Sequence, residues 1–335
     1  MSYHLQNLKT TFLKELLLRK SQAFSFVLYR TKWHLFPKFD IIHAFPLHVD
    51  IETTSRCNLR CTMCIQSSSE GRKNQGDIDF NMACRILEAI GGKVYSVKFN
   101  WRGEPLLYQK LPELIRYAKQ CKIPEVQINT NGTLLTADLS RKLIDAGLDR
   151  IIFSVDGYSS ETYEKIRIGG NYRQLMKNIG DFLYEKDQGN SQKNKRPFVR
   201  IQMVVGDKNK HEVDSFVKYW EDVGISVGLI DKQNRIKKLN QTNFVINPIV
   251  KCKQPWQRLT ISWQGKVFGC CADWYEKSPF LWRVSNKQIS SEKLQTQLSS
   301  SWREGKVISQ IRQTIRSGDF TNSFCVNCPF VTNGE

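Results

Sequence analysis

Three cysteines fall within eight residues in "CNLRCTMC", Cys57 to Cys64, in a chain of 335 residues with ten cysteines. A structural zinc site takes four protein ligands, and a redox Cys-x-x-Cys pair takes two. Three thiolates on one loop instead suit a [4Fe–4S] cluster with one iron left open to a small chelating ligand. A second set lies near the end, where seventeen residues separate Cys252 from Cys270 and "FCVNC" adds Cys325 and Cys328. Those four thiols fit a Cys₄ zinc site and a second iron–sulfur cluster equally well.

The elements that must carry these loops alternate regularly. The runs "LHVDIET", "SVKFNW", "EVQINT", "RIIFSV", "FVRIQMVV" and "ISVGLI" predict strands, and amphipathic stretches such as "NMACRILEAI" and "LPELIRYAKQC" between them predict helices. Repeated strand-then-helix units imply an α/β fold with parallel pairing. Six units fall short of the eight that close a full barrel, so the expected architecture is an open-sided, partial (β/α)6 TIM-like barrel with a small cysteine-rich C-terminal domain. Chemistry then belongs at the C-terminal ends of the strands, and the three-cysteine loop directly follows the first of them. The expected organisation is a basic amphipathic extension at 1–46, the barrel at 47–231, a basic bridge at 232–251 and the cysteine-rich domain at 252–335. The segment 188–197 is expected to be a polar surface loop.

The spacing of "CNLRCTMC" resembles that of the radical S-adenosylmethionine (SAM) superfamily, and further matches follow in order. "RGEPLL", 102 to 107, resembles the family's GGE-type motif with Arg102 in place of a glycine, so the SAM-binding assignment there leans on Gly103 and Glu104. "NTNGTLL" and "SVDG" end the third and fourth strands, and "YEKIRIGGNY" resembles the family's Tyr-x-x-Ile-Arg segment. The resemblance implies a [4Fe–4S] cluster on Cys57, Cys61 and Cys64 whose open iron binds SAM. It also implies SAM contacts from Gly103, Glu104, Asn131, Ser154, Asp156 and Arg167. The C-terminal pattern, with its hairpin "WQGKVFGCC", is similar to the SPASM/twitch extensions of radical SAM enzymes. It implies an auxiliary [4Fe–4S] cluster on Cys252, Cys270, Cys325 and Cys328, in the shorter twitch form, with Cys271 as the alternative to Cys270. Cys84 and Cys121 fall in predicted helices and read as small buried hydrophobes.

What the resemblance implies for reaction is hydrogen abstraction from an unactivated carbon by a 5′-deoxyadenosyl radical, with electrons from a donor such as flavodoxin or ferredoxin. The favoured substrate is carbohydrate-like: a sugar, aminocyclitol or nucleotide sugar, with oxidation or epimerisation as the outcome. Cys271 is the candidate hydrogen donor for epimerisation, and Asp273, ahead of Glu52, the candidate proton acceptor. Peptide maturation and RNA modification are the alternatives. The first is disfavoured because the 46-residue extension is too short for a peptide-recognition domain, the second because no aromatic-interleaved basic strand is present.

The formal net charge of +18 fits a polyanionic partner of several kinds. Lys232, Arg235, Lys237 and Lys238 are expected to form a handle for a phosphorylated substrate, and the basic extension is expected to pack on the barrel or touch an anionic membrane surface. No run of eighteen apolar residues and no secretory leader are seen, which points to the cytoplasm. The five histidines show no ligand spacing.

Overall fold

A computed structural model describes residues 16, 23–189, 197–231, 252–276, 278–284, 289–320, 323 and 325. Cys328, the cations at 232–238 and residues 190–196 of the expected surface loop therefore lie outside the described residues, as does most of the first 22. All six expected strands are present: β1 (His48–Ile51), β2 (Ser96–Lys98), β3 (Glu125–Thr130), β4 (Arg150–Ser154), β5 (Phe198–Val205) and β6 (Ser226–Asp231). Consecutive strands pair in parallel from β1 to β6.

Strict alternation along these strands sets the two faces of the sheet. Val49, Ile51, Val97, Val126, Ile128, Ile151, Phe153, Ile201 and Met203 point outward into the buried core. Helices α1 (Ala23–Lys38), α2 (Phe80–Ile90), α3 (Leu111–Gln120), α4 (Ala137–Asp145), α5 (Ser160–Ile166), α6 (Tyr172–Gly189) and α7 (Val213–Asp222) accompany the strands. Side-chain caps start several of them: Asp79 accepts from the Met82 amide and Thr136 from the Leu139 amide. The opposite strand residues, among them His48, Lys98, Gln127, Arg150, Arg200 and Gln202, line a polar lumen.

Beyond residue 251 the chain continues the sheet of the barrel. After the short helix α8 (Gln254–Gln257), β7 (Arg258–Ile261) pairs in parallel with β1, with Val49 opposite Leu259. β8 (Lys266–Phe268) and β9 (Trp282–Arg283) extend the same sheet antiparallel, giving the order β6-β5-β4-β3-β2-β1-β7-β8-β9. The C-terminal region thus closes the exposed edge of β1, where unpaired backbone groups would otherwise remain. It also carries two amphipathic helices, α9 (Ser291–Arg303) and α10 (Lys306–Ser317). Leu294, Leu298 and Trp302 mark the buried stripe of α9, at the four-residue spacing of one helix face.

The described part of the N-terminal extension packs on the barrel through α1. Tyr29 stacks on Tyr95 with ring centroids 4.1 Å apart, and the Trp33 carbonyl accepts from Gln257. Among the described residues no helix is long and apolar enough to cross a membrane.

Candidate active site

The loop that follows β1 is fixed by its own backbone and by its neighbours. The Arg60 and Thr62 amides donate to Ile168 and Ile166 carbonyls, each at 2.9 Å, and the Arg60 guanidinium reaches the Cys57 and Leu59 carbonyls. Asn58 is held at 2.8 Å from Thr133 and 2.9 Å from Asn131, which directly follows β3. Gly103 lies so close to this loop that a Cβ would sit 2.2 Å from the Thr54 carbonyl oxygen and 2.6 Å from that of Arg56. No larger residue fits there, which accounts for glycine at the second position of the motif.

Cys57, Cys61 and Cys64 line one cavity of about 230 Å³ with Gly103, Glu104, Asn131, Ser154, Asp156 and Arg167. All nine barrel residues expected from sequence therefore meet at the C-terminal ends of β1 to β4. Burial pushes the Cys57 thiol up to about 12 and raises that of Cys61. Iron reverses that penalty by deprotonating a coordinated thiol. Among the described residues no group of three His, Cys, Asp or Glu side chains is poised around a single metal ion. A cubane cluster takes each thiol on a different iron, so ligands arrayed around a cavity suit it where ligands converging on one point would not. The donor set fits the cluster.

Around the thiols the polar groups are pre-organised. Glu104, 3% exposed, accepts from the Thr130 hydroxyl at 2.6 Å and the Asn131 amide at 2.8 Å. Burial still lifts its carboxyl to about 6. Asp156 is fully buried, receiving two bonds of 2.7 Å from Arg167 and one of 2.8 Å from the Val204 amide. Asn131 Nδ2 stands 4.0 Å from Cys57 Sγ.

The C-terminal residues are placed differently from expectation. Neither Cys271 nor Asp273 lines the cavity; Trp274 does. Cys271 Sγ lies 3.6 Å from Gln254 Oε1, and Asp273 accepts from the amide and hydroxyl of Ser278 in its own turn. Glu52, the other candidate proton acceptor, is held by two 2.7 Å bonds from Arg102 and has no exposed surface. The packing of a five-residue turn against the barrel explains these positions, and sequence order alone does not reveal it. Cys252 and Cys270 are half-buried and Cys325 is buried, each in the C-terminal region.

Sequence reasoning missed the residues that join the two parts. Trp101 Nε1 donates to the Cys271 carbonyl at 2.8 Å, and Arg102 donates to the Trp274 carbonyl at 3.1 Å. Arg102 also pairs with Glu276 at 2.8 Å. The signal was its departure from the GGE pattern.

Residues 51–183 match the radical SAM superfamily, and residues 252–329 match an iron–sulfur cluster-binding domain, SPASM. The chain belongs to the radical SAM superfamily and carries a C-terminal SPASM domain. Its cofactors are SAM with a [4Fe–4S] cluster and an auxiliary cluster in the SPASM domain. It is 36% identical over 138 residues to the GTP 3′,8-cyclase of Chlorobaculum tepidum, covering 41% of each chain. The chain spans less than two thirds of the length of this and the other first curated relatives, from 41% to 64%. In fold it is similar to BtrN in complex with AdoMet and 2-DOIA, at a TM-score of 0.54 and 18% identity over 88% of this chain and 94% of that one. It is also similar to Streptococcus suis SuiB bound to precursor peptide SuiA, at 0.60 and 18% over 90% of this chain and 74% of that one.

Proposed function

We propose that the chain is a radical SAM oxidoreductase that dehydrogenates an alcohol carbon of a carbohydrate-like substrate. The observation that carries this reading is the seating of the 270–276 loop on the barrel mouth, through Trp101 to the Cys271 carbonyl and Arg102 to that of Trp274. Cys270 stands on that loop and Trp274 of the same loop lines the cavity, so a cluster held by Cys270 would be placed to accept an electron from the substrate. When bound, SAM and its cluster supply hydrogen abstraction from the carbon. Oxidation of the alcohol carbon to a ketone would release the hydroxyl proton to water and one further electron, for which the auxiliary cluster would supply the acceptor.

The chain's own residues bind and orient. Cys57, Cys61 and Cys64 would hold the first cluster, and Gly103, Glu104, Asn131, Ser154, Asp156 and Arg167 would contact SAM. Trp274 covers the cavity from the C-terminal side. Epimerisation is the weaker outcome because Cys271 Sγ lies against Gln254 and not in the cavity. Electrons enter from a small donor such as flavodoxin or ferredoxin.

A second reading takes a purine nucleotide as substrate, favoured by the 36% identity over 138 residues to a protein named GTP 3′,8-cyclase. The test is to incubate the reduced holoenzyme with SAM and either polyol phosphates or GTP in D₂O. The oxidoreductase reading predicts one 5′-deoxyadenosine per ketone and no deuterium at the product carbon. Solvent deuterium at that carbon would establish epimerisation, and a cyclised nucleotide would establish the second reading.

A further inference from the structure

Beneath the cysteine cavity, toward the N-terminal ends of the strands, the lumen holds a second chamber of about 440 Å³. Five cationic side chains line it, Arg30 from α1 and Lys98, Arg150, Arg200 and Arg258 from the strands, against one carboxylate, Glu125. His48 in the same wall adds no charge near neutral pH, because burial lowers its pKa. Asp50, fully buried on the same inward face of β1 as His48, lies 2.8 Å from Lys98 and 3.6 Å from Arg258 and offsets part of their charge. The lining as a whole is positive, and like charges gathered at low dielectric favour a bound anion that offsets their repulsion.

Several features hold the guanidinium groups in fixed planes. Arg258 stacks over Trp33 at 5.1 Å and Arg150 over Phe198 at 4.6 Å. A Cβ on Gly228 would lie 2.3 Å from the Arg200 guanidinium, so this glycine keeps the space that the group occupies. Fixed, planar donors suit bidentate binding of phosphate oxygens. The chamber adjoins the cysteine cavity, with Asn129 lining both. From Glu125 to Asn129 the strand rises roughly 13 Å, enough for a sugar ring and an attached phosphate.

We propose that this chamber binds the phosphate or diphosphate ester of the substrate, with the reacting carbon directed up the barrel into the cysteine cavity. The assignment of the reacting end rests on the function proposed above. The sequence had placed an anion handle at 232–238, whereas the barrel cations form one independently of that segment. Arg30 gives the basic extension a part in the site.

The experiment is calorimetric titration of the anaerobically reconstituted holoenzyme with inorganic pyrophosphate. Expected are one site per chain, at least tenfold weaker binding in both Arg30→Gln and Arg258→Gln, and unchanged binding in the surface control Arg141→Gln. Displacement by a hexose 1-phosphate identifies a sugar ester as the source, and displacement by ADP a nucleotide. Arg258 pairs with buried Asp50, so if Arg258→Gln does not fold, Arg30→Gln decides. The proposal is overturned if the wild type shows no saturable binding, or if Arg30→Gln binds as tightly as wild type. Cleavage of SAM by the reduced wild type is read separately, so a failed anion site and a failed radical reaction are distinguishable.

Discussion

Arg102 and Glu276 meet at 2.8 Å across the junction between the barrel and the cysteine-pair turn, while the same guanidinium grips Glu52 with two 2.7 Å bonds. One residue thus ties the strand that leads into the cluster loop to the turn that follows Cys270 and Cys271. Arg102→Gly, which restores the GGE pattern, should cost roughly 3–5 kcal/mol, because it leaves buried Glu52 uncompensated. Arg102→Lys should recover less than half of that, since an ammonium cannot make the bidentate pair. Thermal unfolding of the three proteins checks both, and an unchanged midpoint in Arg102→Gly would show that the clamp is not needed.

Gly103→Ala should disrupt the cysteine loop, because the new methyl would sit 2.2 Å from the Thr54 carbonyl oxygen. The expected result is loss of about four irons per chain, the content of one [4Fe–4S] cluster. Full iron content in this variant would mean that the loop tolerates a side chain there.

Glu104 predicts a pH dependence of the apoprotein. Its folded-state pKa is raised from 4.5 to about 6 by burial. The folded state therefore binds the proton more tightly, so the stabilisation is fully present below about 4.5 and is lost as pH rises through about 6, by roughly 2 kcal/mol. Glu104→Gln should remove that part of the pH profile. Denaturation midpoints between pH 4.5 and 7.5 that change in parallel for both proteins would contradict it.

Much of this was legible in the sequence because the carriers are local. The period-2 strands, the intervening amphipathic helices and the motifs after each strand pointed to nine candidate residues, which line one cavity. The lumen was legible too: residues 48 and 50, 125 and 127, and 200 and 202 alternate polar with apolar neighbours, and the polar parity faces inward. What the sequence could not supply was pairing between distant segments. That β7 borders β1, that Arg102 reaches Glu276, and that Asp273 turns to Ser278 depend on tertiary packing across some 170 to 210 residues or on the detail of one turn. Which cysteine of the 270–271 pair serves the cluster is likewise a matter of side-chain direction.

Cys270 is the expected ligand of that pair. Its Sγ accepts from the Ala272 amide at 3.4 Å, the kind of bond that supports a cluster thiolate, whereas Cys271 Sγ lies against Gln254. Cys270→Ala should lose about four irons per chain and Cys271→Ala none. The reverse pattern would exchange the two roles.

The central claim is that a second, redox-active cluster adjoins the substrate cavity and takes up an electron. Its most direct test is the iron, acid-labile sulfide and zinc content of the anaerobically reconstituted wild type. About eight irons with matching sulfide and no zinc are predicted, falling to about four when Cys57, Cys61 and Cys64 are all replaced by Ala. About four irons and one zinc in the wild type would make the C-terminal site structural and contradict the proposed oxidation.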